Sequence, residues 1–232
     1  MPKQIKKRIP KKTADTEEEV KEKLSSLKDT LKERQNTILK YGIGVLVILL
    51  AVVGFLVYSY TAQKKAKGLE YEAYRIYYGN TQIPAVNREE HYRKALDIFK
   101  KAYDTRRSPT SLFYIAACYY ELGQYDDALK TSKDFIQIYS NDEKFLPLAY
   151  QKTAVIYLKK GDATEAKKTL DALYNLKGDI FKDFALMESG KLLEKEGKLD
   201  EAKKKYQELI TKYPNSPFKD EAAAKLSEKK VS

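Results

Sequence analysis

Residues 119–132 read YYELGQYDDALKTS, residues 157–170 read YLKKGDATEAKKTL and residues 192–206 read LLEKEGKLDEAKKKY. Aligned on Gly123, Gly161 and Gly197, spaced 38 and 36 apart, each segment carries an alanine five residues later, at Ala128, Ala166 and Ala202. A looser copy, HYRKALDIFKKAY at 91–103, puts Ala95 at the equivalent point. The glycine ends a helix in a left-handed residue and releases the chain into a tight turn. The alanine sits where two helices cross closely. Residues four and seven past it pack back onto the first helix: Phe99 and Ala102, Ser132 and Phe135, Leu170 and Leu173, Tyr206 and Leu209. The preceding helices supply the matching surface through Ala116 and Tyr119, Ala154 and Tyr157, Gly190 and Leu193. No segment after Lys64 alternates with the period of a strand, so the fold class is all-α, a helical-repeat solenoid.

These copies resemble the tetratricopeptide repeat, a helix-turn-helix unit of about 34 residues. The likeness covers about 90–230 and implies repeats near 69–105, 109–141, 147–177 and 183–214. Tyr213-Pro214-Asn215 closes the last of them. Pro217 then opens a capping helix within 217–229, with Ala222, Ala223 and Leu226 turned inward. The stretch 69–90 is atypical. Gly79, Asn80, Pro84 and Asn87 make a long connection there, and Leu69–Tyr78 is the expected partner helix of the first copy, continuing the apolar helix that precedes it.

That apolar helix is Tyr41–Tyr60, YGIGVLVILLAVVGFLVYSY, twenty residues without a charge in a chain that is 33% charged. At ~1.5 Å rise per residue it spans the roughly 30 Å hydrocarbon core of a bilayer. It is too long, and starts too late, for a cleaved signal peptide. Tyr41, Tyr58 and Tyr60 suit the membrane–water interface. The expected organisation is a charged arm at 1–40, a single transmembrane helix at 41–60 and a repeat domain at 64–232. Lys and Arg near the two ends of the span are almost balanced. The arm holds twelve Lys/Arg against seven Asp/Glu, and long domains cross membranes largely regardless of charge. The arm is therefore expected in the cytoplasm and the repeat domain outside it, with the reverse, cytosol-facing topology as the alternative.

Within the arm, residues 1–12 form a basic tail broken by Pro2 and Pro10. Thr16 with Glu19 makes a capping box that starts a helix. Val20, Leu24, Leu27, Leu31 and Ile38 recur at heptad-like spacing, interrupted by Arg34. The stripe reads first as a surface helix lying on the membrane or pairing weakly, and second as a short coiled coil or partner-docking helix.

The order of parts also resembles the ancillary subunit family of the bacterial Sec translocon. The shared features are a short charged arm, one membrane helix and divergent repeats ending in a helix like Ser216-Pro217-Phe218 through Ala224-Lys225-Leu226. The resemblance implies a chaperone-like adaptor in the bacterial inner membrane, its repeats in the periplasm, meeting exported or unfolded client proteins and the translocon. A scaffold that assembles an envelope complex is the second expectation. No catalytic residue is carried over.

Helix 110–122 is apolar on two sides. One stripe serves the repeat interior; the other, Phe113, Tyr114, Ala117 and Tyr120, faces elsewhere. The next repeat offers Leu148, Gln151, Val155 and Leu158, and the third Phe184, Met187 and Lys191. First helices of repeat pairs line the concave side, so these residues are the expected peptide-binding groove; the plainer reading packs the second stripe on its neighbouring repeat. One His, one Cys and no Trp leave no Cys/His metal site, cofactor motif or nucleophile constellation, so no enzyme is expected. His91 is read as solvated and Cys118 as a small core residue. The net charge of +11 is concentrated only in residues 3–12; elsewhere the lysines are interleaved with acids, as on solvated helix faces, and this pattern argues against nucleic acid as a partner.

Overall fold

A computed structural model describes residues 14–79 and 88–227, apart from the side chains of 14–16, 36 and 38. The basic tail at 1–12, the connection at 80–87 and the last residues from 228 lie outside the described residues. Among those described, ten helices and no strand are found. Two compact units divide them, 1–60 and 61–232.

The first unit holds α1, Ala14–Glu33, and most of the apolar part of α2, Gln35–Tyr77. The helix starts ahead of the expected cap at Thr16. Within α2, Leu39–Tyr77 contains a stretch of mean hydropathy 2.6, none of it buried, and is long and apolar enough to cross a membrane.

The second unit takes the end of α2 and then α3, Arg88–Thr105; α4, Pro109–Glu121; α5, Tyr125–Ile138; α6, Leu146–Lys160; α7, Ala163–Tyr174; α8, Lys182–Lys195; α9, Leu199–Lys212; and α10, Lys219–Ser227. Each helix from α3 onward packs on the next, the arrangement short connections between helices produce. Local signals explain the boundaries. Pro109 occupies the first turn of α4, and the Ser108 hydroxyl accepts from the Ser111 amide at 3.1 Å. Asp162 caps α7 in the same way, accepting from Glu165 N at 3.1 Å. Gly123, Gly161 and Gly197 have φ of +72°, +74° and +75°, the left-handed turn the repeat alignment requires.

The alanines at the crossings, Ala95, Ala128, Ala166 and Ala202, are all buried, as are Phe99, Phe135, Leu170, Leu173, Tyr206 and Leu209. Three apolar clusters form the interior. The first joins Ala73 and Ile76 of α2 to Phe99, Tyr114, Phe135 and Phe145. Burying one such ring or aliphatic side chain contributes about 1.5–3 kcal/mol, so the stack is held by its interior rather than by its surface ion pairs. In α10 only Ala222 is buried. Ala223, expected inward, is exposed, because it is turned about 100° around the helix from Ala222, the residue that packs into the α8–α9 cluster.

Candidate functional site: two concavities on the first helices

The residues expected to line one continuous groove fall into separate surroundings. Phe113, Tyr114, Ala117, Leu148 and Gln151 meet in a cleft of 430 Å³, together with Tyr74, Tyr77 and Tyr78 of α2, Thr110, Lys144, Phe145 and Lys152. Leu158 and Lys191 line a second concavity of 320 Å³ with Glu188, Leu192, Glu194, Lys195, Glu221 and Lys225. The first is aromatic. The second is a lattice of charges.

In the aromatic cleft the chain supplies much of its own filling. The Tyr114 ring stacks on Phe99 at 5.0 Å and meets Tyr77 and Tyr74 edge-on at 5.4 and 5.6 Å. Its hydroxyl lies 3.3 Å from that of Tyr78. Phe113 stacks on Phe145 at 5.0 Å. Edge-to-face and offset pairs at these separations add about 0.5–1.5 kcal/mol each beyond burial. Phe113 and Tyr114 are accordingly only 8% exposed, and Ala117 is buried at the floor. The expected open stripe on α4 is therefore largely core. What remains accessible is the rim: Tyr74 and Tyr78, Lys144, and half-buried Leu148, Gln151 and Lys152.

Lys152 gives the rim its electrostatic character. Its ammonium lies 3.9 Å from Glu121 and 4.3 Å from the centre of the Tyr120 ring. Burial lowers its pKa, and Glu121 opposes that shift. The Tyr77 phenol is raised, first by burial and then by Glu121, so it stays a neutral donor. Burial and then Glu121 push the Cys118 thiol up to about 12, and it is fully buried, so it is no nucleophile.

The other expected groove residues are placed as follows. Tyr120 is half-buried beside Tyr125 and under Lys152 and Lys159. Val155 is half-buried and lines neither concavity. Phe184 packs towards Phe218 at 6.2 Å. Met187 is a correction: it is fully buried with Leu186, Leu193, Tyr206 and Leu209, because residue 187 of α8 faces α9. Lys191 pairs with Glu221 at 2.9 Å and Glu188 at 3.0 Å; burial opposes its charge, but these two carboxylates outweigh it and raise its pKa. His91 is a second correction. It is half-buried, with Nε2 buried and without a hydrogen-bond partner among the described residues.

Sequence reasoning missed Tyr74, Tyr77 and Tyr78, although their i, i+3, i+4 spacing puts three rings on one helix face. No group of His, Cys, Asp and Glu suited to a metal occurs among the described residues. Chemically, the cleft offers ring faces for apolar side chains and hydroxyl, amide and ammonium groups for a backbone or a carboxylate.

A family model described as a tetratricopeptide repeat-like domain matches residues 28–228. The chain is 31% identical to the heat shock protein sti1 homolog of Schizosaccharomyces pombe over 59% of its own length, and it covers 29% of that protein. Among solved structures, MamA from Desulfovibrio magneticus RS-1 is similar with a TM-score of 0.50 at 14% identity, over 71% of this chain and 90% of that one. A Podosopora anserina protein of nearly identical TPR-like repeats reaches 0.52 at 13% identity, over 71% and 84% of the two chains. At such identities the likeness to these structures is one of fold.

Proposed function

This chain belongs to the tetratricopeptide repeat-like domain family, and from that premise we propose that it is a single-pass membrane protein whose repeats bind other polypeptides. In this reading α2 anchors it in the bacterial inner membrane, with the arm in the cytoplasm and the repeats in the periplasm. Its clients are exported proteins emerging from the translocon, and its action is that of a chaperone-like adaptor.

The observation that carries the binding reading is the aromatic cleft, whose rim combines Tyr74, Tyr78, Leu148 and Gln151 with the ammonium groups of Lys144 and Lys152. Such a rim takes apolar side chains of varied shape against ring faces, which suits many clients rather than one. The anchor is supported by the exposed apolar length of α2. Likeness to a heat shock protein homologue agrees with a chaperone-like role.

A photo-crosslinking residue placed at Gln151 or Leu148 of the full chain in living cells tests this. The expected product is a ladder of many exported chains, competing with their folding. One stoichiometric folded partner instead makes the protein a scaffold for an envelope complex. Protection of the repeats from protease in intact spheroplasts reverses the topology and makes it a cytosol-facing receptor.

A further inference from the structure

The first unit presents a helix face that nothing in the repeat unit explains. Val20, Leu24, Leu27 and Leu31 lie along one side of α1 and are 54–60% exposed. At 3.6 residues per turn these four share about 60° of arc, with Lys21 and Lys28 bordering them on one side and Lys23 on the other, roughly 70–90° from the centre. Glu18, Glu22, Asp29 and Glu33 fall within about 30° of the opposite pole. Two acids depart from this zoning, Glu17 near the apolar face and Glu19 on the Lys23 flank about 110° from its centre, both in the helix's first turns, where the helix dipole favours an acid.

This zoning selects the occupant. A second copy anchored from the same side of a membrane would run parallel, and the seam would then set Lys23 of one helix beside Lys28 of the other, a like-charge pairing. A bilayer surface meets the same face with acyl chains under the leucines and phosphates at the level of the flanking ammonium groups, while the acids stay in water. We propose that α1 lies on the headgroup layer of an anionic membrane, its Val20–Leu31 stripe in the acyl boundary and Lys21, Lys23 and Lys28 on lipid phosphates. The inference rests on the reading of α2 as a membrane span, which begins a few residues beyond α1. Arg34 sits between the two helices and adds a fourth cation at the level of the headgroups.

The test uses the full chain reconstituted in vesicles, with single cysteines introduced by Leu24→Cys, Glu22→Cys or Leu49→Cys and labelled with a polarity-sensitive fluorophore. Native Cys118 is fully buried and stays unlabelled in the folded protein. In vesicles containing phosphatidylglycerol, acrylamide quenching at position 24 is expected to fall roughly tenfold below that at position 22. The difference should shrink in phosphatidylcholine alone, and in the triple variant Lys21→Glu, Lys23→Glu, Lys28→Glu. Equal quenching at 24 and 22, with 49 shielded, overturns the inference while leaving the span intact. Shielding at 24 that ignores lipid charge and follows protein density assigns the face to a protein helix and also overturns it. Free quenching at 49 sinks the span itself, and the inference with it.

Discussion

Gly190 and Tyr206 are fitted to one another: a Cβ at position 190 would stand 2.4 Å from Cε1 of the Tyr206 ring. The glycine lies inside α8 and the tyrosine, fully buried, inside α9. The missing side chain is what lets a large ring fill the crossing; at the positions equivalent to 190 and 206 the other repeats carry Ala116 and Ser132, and Ala154 and Leu170, all buried.

Alanine at 190 has the better helix propensity by about 1 kcal/mol. The ring has nowhere to go, so Gly190→Ala is nevertheless expected to destabilise the repeat unit by about 1–3 kcal/mol. Pairing it with Tyr206→Leu should recover part of the loss, and a double-mutant cycle by denaturant melts reads the coupling. Simple additivity would show that the two positions do not share this space.

Gly161 is constrained differently. A Cβ there would meet nothing within 4 Å, but φ is +74°. Gly161→Ala should cost about 1–2 kcal/mol from backbone strain alone. Gly161→Asn should cost less, because asparagine tolerates the left-handed region. Equal melting temperatures for the two variants would contradict the assignment.

Glu70 ties the end of α2 to the start of α4. Its carboxylate accepts from the Ser108 hydroxyl and, at 2.7 Å, from the Ser111 hydroxyl. Ser111 is buried, so Glu70→Ala leaves its hydroxyl unpaired and should cost about 1–3 kcal/mol. Hydrogen exchange in the first turn of α4 is expected to quicken more than exchange in α9; a uniform change along the chain would argue against a local tie.

The pH dependence follows from the buried acids. The Cys118 thiol moves from 9.0 to about 12 on folding, and burial raises the phenols of Tyr77 and Tyr206 above their ordinary 10.0. Each group keeps its proton longer in the folded state. The stability they contribute is thus whole below about pH 9 and is lost as pH rises towards the folded values. Denaturant midpoints should fall between about pH 9 and 11. Cys118→Ala should flatten the early part of that fall, and a thiol reagent at pH 8 should modify Cys118 only after unfolding.

Repetition made the helix pairs legible: Gly123, Gly161 and Gly197 mark turns because only a residue without Cβ enters them cheaply, and that is a local property. The crossing alanines and the buried partners four and seven residues on were readable for the same reason. The groove was not. Which stripe of α4 stays open depends on what other elements bring to it, and Tyr74, Tyr77 and Phe145 arrive from 36 to 40 residues upstream and 31 to 32 residues downstream of Phe113 and Tyr114. Helical periodicity tells how many faces are apolar but not which neighbour covers each one. Met187 shows the same limit from the other side, an apolar residue on a plausible outer stripe that α9 buries. Sequence alone determined the turns, the pairing and the apolar run, all set by chain-local chemistry. Tertiary structure decided which aromatic surface is core and which is rim, because that division is made by packing between residues far apart in the chain.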